Sequence, residues 1–185
     1  MISQKLELHL SLFHSIIVTL LSILYTVNIS YPEVILGVSL AYFLLDLVVI
    51  VSLGTKDRNF VWHHVLALGF VYYGWTEPYR TYYCRGIIVE LSTIFLNFYR
   101  FEKTKFRGVM FLISFVLMRI IYIPWFYWTV LIPDFFVIAF PLHLLVLLIY
   151  IIQLIWLKDI IGMITRPKKI LSPIDLIPIK KELFY

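Results

Sequence analysis

Residues Val34–Leu53 read VILGVSLAYFLLDLVVIVSL, an apolar run whose one charged residue is Asp46. A helix of about 20 apolar residues crosses the hydrocarbon core of a bilayer, where no water remains to pair with backbone groups. The run therefore predicts a membrane-spanning helix. Working outward from it, five more apolar stretches emerge at Leu6–Asn28, Phe60–Trp75, Tyr82–Phe98, Val109–Leu131 and Phe135–Trp156. The third and fourth in chain order are short, and the connector between them, Thr76–Thr81, carries Pro78 and reads as a tight turn just inside the interface. Pro124 and Pro141 are expected to kink the fifth and sixth spans, because each removes an intrahelical hydrogen bond. The fold class is thus all-α integral membrane, a six-transmembrane helical bundle over residues 1–165. Residues 166–185, with Pro167, Pro173 and Pro178, read as an extended cytoplasmic tail.

Composition agrees. Hydrophobic residues make up 62 % of the 185 and charged residues 15 %, against about 45–50 % and about 25 % in soluble domains. So much apolar surface calls for lipid as its solvent. The first span shows no small-residue cleavage site and reads as an uncleaved signal-anchor. The single cysteine, Cys84, excludes an intramolecular disulfide framework and any Cys-rich zinc site.

Lysine and arginine placement gives an orientation. With the N-terminus inside, Lys5, Lys56, Arg58, Arg100, Lys103, Lys105, Arg107, Lys158, Arg166, Lys168, Lys169, Lys180 and Lys181 all fall on the cytoplasmic side. The other side receives Arg80 and Arg85, and Arg119 lies within the fifth span. Short loops rich in Lys and Arg stay inside, so both termini are expected to be cytoplasmic and the bundle's polar interior to open towards the cytosol. The net charge of +5 follows from topology. The basic residues hug the ends of spans, and no nucleic-acid partner is expected. Asn28-Ile29-Ser30 matches a glycosylation acceptor but lies too close to the membrane to be used.

Ionisable groups inside spans cost about 2.5–3.5 kcal/mol on insertion scales, so each calls for a reason. They are His14, Asp46, His63, His64, Glu90, Arg119 and His143. At a rise of about 1.5 Å per residue, His14, Asp46, Glu90 and Arg119 lie at a common depth of roughly 12–16 Å from the basic side, and His63 and His64 at about 5–7 Å. His143 lies deeper and belongs elsewhere. Gly86, Glu90, Thr93 and Asn97 share one helical face, and Ser11, His14, Ser15, Val18 and Ser22 form a second stripe. Two readings stay open. Either these groups are interhelical glue, with Arg119 neutralising Asp46 or Glu90, or they line a polar cavity that receives a lipid headgroup or acyl thioester.

The adjacent histidines His63 and His64 point about 100° apart on a helix, unlike the i, i+4 pair of a helical zinc site. No metal is expected. One of the two suits a general base or acyl acceptor, and the other a structural hydrogen-bond donor.

These features resemble the TLC domain, the family of ceramide synthases, translocating-chain-associated membrane proteins and a neuronal ceroid lipofuscinosis protein. The resemblance rests on Phe13-His14-Ser15, on Ala41-Tyr42-Phe43-Leu44-Leu45-Asp46-Leu47, on His63-His64, on the run from Glu90 to Asn97, and on Arg100. It is closer to the short TLC-domain proteins than to the synthases. In the synthases a His-Asp and a further Asp follow the histidine pair by about one span, where this chain has Glu90, Leu91 and Ile94. The resemblance implies a protein of lipid homeostasis in the endoplasmic reticulum or another internal membrane. It would bind, sense or handle a lipid at His14, Asp46, Glu90, Thr93, Asn97 and Arg119, with membrane lipids as its partners. The alternative it implies is an acyl-CoA-dependent N-acyltransferase acting on a sphingoid base, with His63 and His64 catalytic. Acyl-CoA is then a substrate, and no cofactor is expected. A channel or ion-coupled transporter is a weaker third reading, since no inverted repeat or broken-helix signature is present.

Overall fold

A computed structural model describes residues 2–29, 31–52, 58–77, 79–133 and 140–165, with side chains from residue 7 onward and excepting that of Arg58. The expected tail at 166–185, Pro78, Ser30 of the acceptor motif and the expected start of the sixth span at Phe135 lie outside these residues.

The described residues are helical apart from short turns and contain no strand. Six rods follow one another. The first three are α1 (Ile2–Thr26), α2 (Pro32–Ser52) and α3 (Arg58–Gly74). The fourth joins α4 (Tyr79–Gly86), a 3₁₀ turn (Ile87–Glu90) and α5 (Leu91–Phe101) end to end. The fifth joins α6 (Lys105–Phe115), a π-helical segment (Val116–Ile121), α7 (Tyr122–Phe126) and a second π segment (Tyr127–Leu131). The sixth is α8 (Phe140–Thr165). Each rod packs on its neighbours in the order first, second, third, sixth, fifth, fourth and back to the first, so the six close a ring.

Among the described residues, four stretches are long and apolar enough to cross a membrane: Glu7–Thr26, Pro32–Ser52, Lys105–Leu131 and Phe140–Thr165. The other two rods differ for visible reasons. At 17 residues α3 is short, and the fourth rod carries Arg80, Arg85, Glu90 and Arg100.

Burial is inverted relative to a soluble protein. Ser11, His14, Ser15, Thr19, Ser22, Ser39, Asn97 and Gln153 are all buried, while Phe13, Leu20, Val48, Val51, Trp125, Trp128 and Leu147 are exposed. That arrangement is stable only where the surroundings are apolar, because lipid pairs with no polar group and welcomes every aliphatic one. The α1 stripe expected from sequence is thus buried in full, Val18 included.

Local chemistry sets the ends. Asn28 adopts a left-handed φ of 60°, and the bonds Ile29 N–H to Leu24 O (2.8 Å) and Asn28 N–H to Tyr25 O (3.0 Å) close a Schellman cap on α1. Asn28 of the acceptor motif therefore has a structural task. Thr104 caps α6, its hydroxyl accepting from Arg107 N–H at 3.3 Å. Pro124 sits just beyond the first π segment. It has no N–H for the Ile120 carbonyl, and the Tyr150 hydroxyl from α8 donates to that oxygen instead, at 3.4 Å. The expected irregularity at Pro124 is therefore present as π-helical turns. α8 as described begins at Phe140, so the residues preceding Pro141, where its expected kink would fall, lie outside the described residues. The same helix runs on to Thr165, past the expected end at Trp156.

Candidate functional site

The polar groups expected at one depth form two adjoining clusters. In the first, α2 and α3 bring Asp46 and His64 together, with His64 Nε2 at 2.7 Å from Asp46 Oδ2. Tyr42, one turn before Asp46, donates its hydroxyl to the same carboxylate oxygen at 3.3 Å. The other ring nitrogen of His64, Nδ1, lies 2.9 Å from the Phe60 carbonyl. A carbonyl only accepts, so Nδ1 carries a hydrogen, and Nε2 then faces a carboxyl group. The pair consequently holds a proton between Nε2 and Oδ2, and both nitrogens of His64 are committed. His14 completes this cluster from α1, stacked on the Tyr42 ring at 3.8 Å and 11°. Neither nitrogen of His14 has a hydrogen-bond partner among the described residues.

In the second cluster Arg119, on the π segment of the fifth rod, reaches the 3₁₀ turn of the fourth. It donates to Glu90 Oε1 (3.0 Å) and Thr93 Oγ1 (2.9 Å) through Nη2, and to Ser92 Oγ (2.8 Å) through Nε. Through Nη1 it donates to Gln153 Oε1 at 3.4 Å. Arg119 and Glu90 are 5 % and 6 % exposed, so this is a buried ion pair hydrogen-bonded on several sides. Of the two carboxylates that the sequence offers to Arg119, the structure selects Glu90. Both partners stand on departures from the α-helix, and π turns often occur at functional sites because the extra residue re-aims a side chain.

Asn97 belongs to neither cluster. Although it shares Glu90's helical face, its amide donates to Ser11 Oγ at 3.1 Å and ties α5 to α1. Below it Arg100 pairs with Glu7 at 2.9 Å. His143 is also apart, with Nδ1 3.1 Å from the Tyr127 hydroxyl.

A cavity adjoins the second cluster, with about 940 Å³ of empty space including its open mouth. His63, Glu90, Arg119 and Gln153 form its polar floor. Its walls rise from there along four rods: Ala67 and Phe70 of α3, Gly86 and Tyr82 of α4, Ile123 and Phe126 of α7, and Val146 and Leu142 of α8. On every one of these rods the lining runs towards the end of the bundle holding the connectors after Gly74 and Leu131. The opposite end carries Arg100, Lys105 and Arg107. The cavity thus lies on the far side of the polar layer from the basic residues, contrary to the expectation that the interior opens on the basic side. The reason is packing. At the basic end Phe111, Phe115 and Ile160 fill the bundle with Phe95, Tyr99 and Trp156, whereas Ala67 and Gly86 leave room beyond it.

His63 and His64 therefore part company. Their rings are nearly perpendicular (86°) with centroids 5.5 Å apart. His63 faces the cavity, lies 4.9 Å from the Trp156 ring, and keeps an unpartnered Nδ1. Gln153 was not singled out by sequence, whereas Tyr42 belongs to the run around Asp46 that carries the family resemblance. Gln153 was legible as the one amide in the apolar α8, and Ser92 sits inside the run that carries the family resemblance. Among the described residues no group of three or more His, Cys, Asp or Glu gathers where it would hold a metal ion.

Compared with known proteins, residues 7–162 match the family model described as the TLC domain. No curated protein and no solved structure gives a significant match.

Proposed function

The chain belongs to the TLC-domain family, and from that premise we propose that it is a multi-pass membrane protein of lipid homeostasis that binds a lipid inside its helical bundle. The observation that carries the reading is the cavity, apolar along its walls and closed at one end by His63, Glu90, Arg119 and Gln153. From the level of His63 to that of Gly74 it spans roughly 16 Å of helix rise. That is about half of a hydrocarbon core of about 30 Å, the reach of a lipid chain in one leaflet. The lipid's polar end lies on the floor and its chain along the walls. The test is to purify wild type and Ala67→Phe, in which a ring would occupy the wall, and to extract the bound lipids. One lipid class at near-stoichiometric amount in wild type and absent from Ala67→Phe is the expected result. The same lipids at the same level in both proteins would overturn the reading.

All six rods cross the membrane in this proposal, with both termini and the turn near Thr104 on the cytoplasmic side of the endoplasmic reticulum or another internal membrane. Cysteines introduced at Thr76 and Lys103 would then react with impermeant maleimide from opposite sides, against a silent background, since Cys84 is buried. Labelling of both from one side would rule the topology out.

One observation favours a second reading, the placement of His63 on the cavity wall. In an acyl-CoA-dependent N-acyltransferase, a sphingoid amine attacks the thioester carbonyl, a C–N bond forms, the C–S bond breaks, and His63 passes the amine proton to the leaving thiolate. Asp46 and His64 would hold that histidine's helix in register. The cavity's position away from the basic side weighs against delivery of acyl-CoA from the cytosol. Membranes holding only this protein, given labelled acyl-CoA and a sphingoid base, decide between the readings. Product lost in His63→Ala/His64→Ala supports transfer, and none above empty membranes supports binding alone.

A further inference from the structure

The charge balance of the cavity floor narrows the ligand. Glu90 and Arg119 are the two lining residues with opposite full charges, and they already neutralise one another at 3.0 Å. Arg119 has five N–H donors, and its four hydrogen bonds to Ser92, Gln153, Glu90 and Thr93 leave one. A phosphate or sulfate head would have to pull the guanidinium out of that network. A quaternary ammonium would meet a carboxylate that is already spoken for. Either would enter a low-dielectric site as an uncompensated charge, the least favourable state a buried group can occupy.

Unmatched hydrogen-bonding capacity is nevertheless present. Gln153 is fully buried, and its orientation is decided by Arg119, which only donates: the amide oxygen faces Arg119, so the NH₂ is turned elsewhere. That NH₂ has no partner among the described residues, and neither has Nδ1 of His63, which is 8 % exposed. Both residues line the cavity. Two buried groups left without partners in a native fold call for a partner that is brought in.

We infer that the cavity takes a lipid whose head is uncharged and bears an oxygen acceptor, such as a long-chain alcohol or a primary fatty amide, seated with that oxygen towards Gln153 and His63. The inference rests on the lipid-binding reading above and specifies its ligand. Phospholipids and cationic lipids are excluded from the floor, and an alcohol or amide oxygen meets the NH₂ of Gln153 without disturbing Glu90 and Arg119.

The test uses purified full-length protein in nanodiscs, with tritiated hexadecanol as the probe. Unlabelled hexadecanol, hexadecanamide, hexadecyl phosphate and hexadecyltrimethylammonium serve as competitors of equal chain length. Hexadecanol and hexadecanamide should displace the probe at similar concentrations, and the two charged competitors should need at least about tenfold more. Gln153→Leu should weaken hexadecanol several-fold while leaving the protein monodisperse, since Arg119 keeps three of its four acceptors. Ala67→Phe should abolish saturable binding. If Ala67→Phe does not fold, Gly86→Leu blocks the opposite wall, where a Cβ meets nothing closer than Phe126 at 3.8 Å. Should hexadecyl phosphate or the ammonium compete as well as the alcohol, in a way that Ala67→Phe removes, the neutral-head inference falls while lipid binding stands. If no saturable binding of hexadecanol is found, the inference falls. If, in addition, wild type and Ala67→Phe carry the same extracted lipids, lipid binding falls with it.

Discussion

Replacing Glu90 by Ala should be among the most damaging changes available in this bundle. In the native structure the Arg119 charge is matched by one carboxylate and three neutral acceptors, all inside a ring of helices whose outer surface is apolar. Removing the carboxylate leaves a guanidinium buried without a counter-charge, a change that costs about 3–5 kcal/mol in buried pairs. Ser92, Thr93 and Gln153 still accept from it, which places the expected loss near the lower end, about 3 kcal/mol. Glu90→Gln keeps an oxygen where Oε1 stands but forfeits the charge, and should lose about 2 kcal/mol. The paired change Glu90→Met with Arg119→Met removes both charges. Ser92 retains its own bond to the Val89 carbonyl (2.9 Å), so the double variant should return to within about 1 kcal/mol of wild type. The assay is reversible unfolding in mixed micelles for wild type, both single Met variants, the double variant and Glu90→Ala, followed by helical circular dichroism. A Glu90→Ala loss below about 1 kcal/mol would refute the reasoning. So would a double Met variant as unstable as the sum of its single changes, because the ion pair would then not be a coupled unit.

Three further outcomes follow from the same packing. Asp46→Ala takes away the oxygen that His64 Nε2 and the Tyr42 hydroxyl share and should lower stability by about 1–3 kcal/mol in the same unfolding assay, whereas Tyr42→Phe, which gives up one bond of 3.3 Å, should cost about 1 kcal/mol or less. Gly74→Ala should destabilise by about 1–3 kcal/mol, since its Cβ would stand 2.6 Å from Leu36 Cδ2 and 3.0 Å from Tyr83 Cβ. Gly37→Ala, with nothing within 4 Å, should stabilise α2 by up to about 1 kcal/mol, and thermal melts of the two variants should move in opposite directions. Tyr150→Phe should cost about 1 kcal/mol by orphaning the Ile120 carbonyl. In a Pro124→Ala background, where residue 124 regains an N–H of its own, that penalty should shrink, and an undiminished one would mean that Tyr150 does not stand in for the proline's missing donor.

The fold class was legible because its cause is local. Runs such as Val34–Leu53 have no other stable home, and the period of Ser11, His14, Ser15 and Ser22 says which face of α1 turns inward. The site was legible in its members and not in its partnerships. Depth counting placed Asp46, Glu90 and Arg119 in one layer, yet whether Arg119 meets Asp46 or Glu90 depends on the rotation of the fifth rod. That rotation is altered by π turns that leave no periodic trace in the sequence. Asn97 shows the same limit from the other side. It has the right spacing from Glu90, but seven residues of helix carry it about 10 Å further along the rod, and Asn97 ends against Ser11. The side of the layer on which a cavity opens was hidden too, since it depends on how Ala67 and Gly86 are set against Ile123, Phe126 and Leu142, which come from rods later in the chain.

The two helical irregularities, the polar layer and the cavity are consequences of one another. Inside a membrane, polar groups are tolerated only where protein covers them, and the 3₁₀ turn at Ile87–Glu90 and the π segment at Val116–Ile121 each turn one charged side chain, Glu90 and Arg119, to the interior, while Leu117 and Ile121 of the π segment stay exposed. Turning there, they deliver Glu90 and Arg119 to one point, and the pair then supplies the polar contacts that each charge needs in the interior. A layer built in this way is spent on its own stability: Arg119 is nearly saturated, and the proton between His64 and Asp46 occupies both. What remains available is set by exclusion, namely His63 and the Gln153 amide, the two floor groups that the network leaves unmatched. Function in this chain is therefore to be sought in that remainder, in a neutral pair of hydrogen-bonding groups at the bottom of an apolar cavity, and not in the charged residues that draw the eye in the sequence.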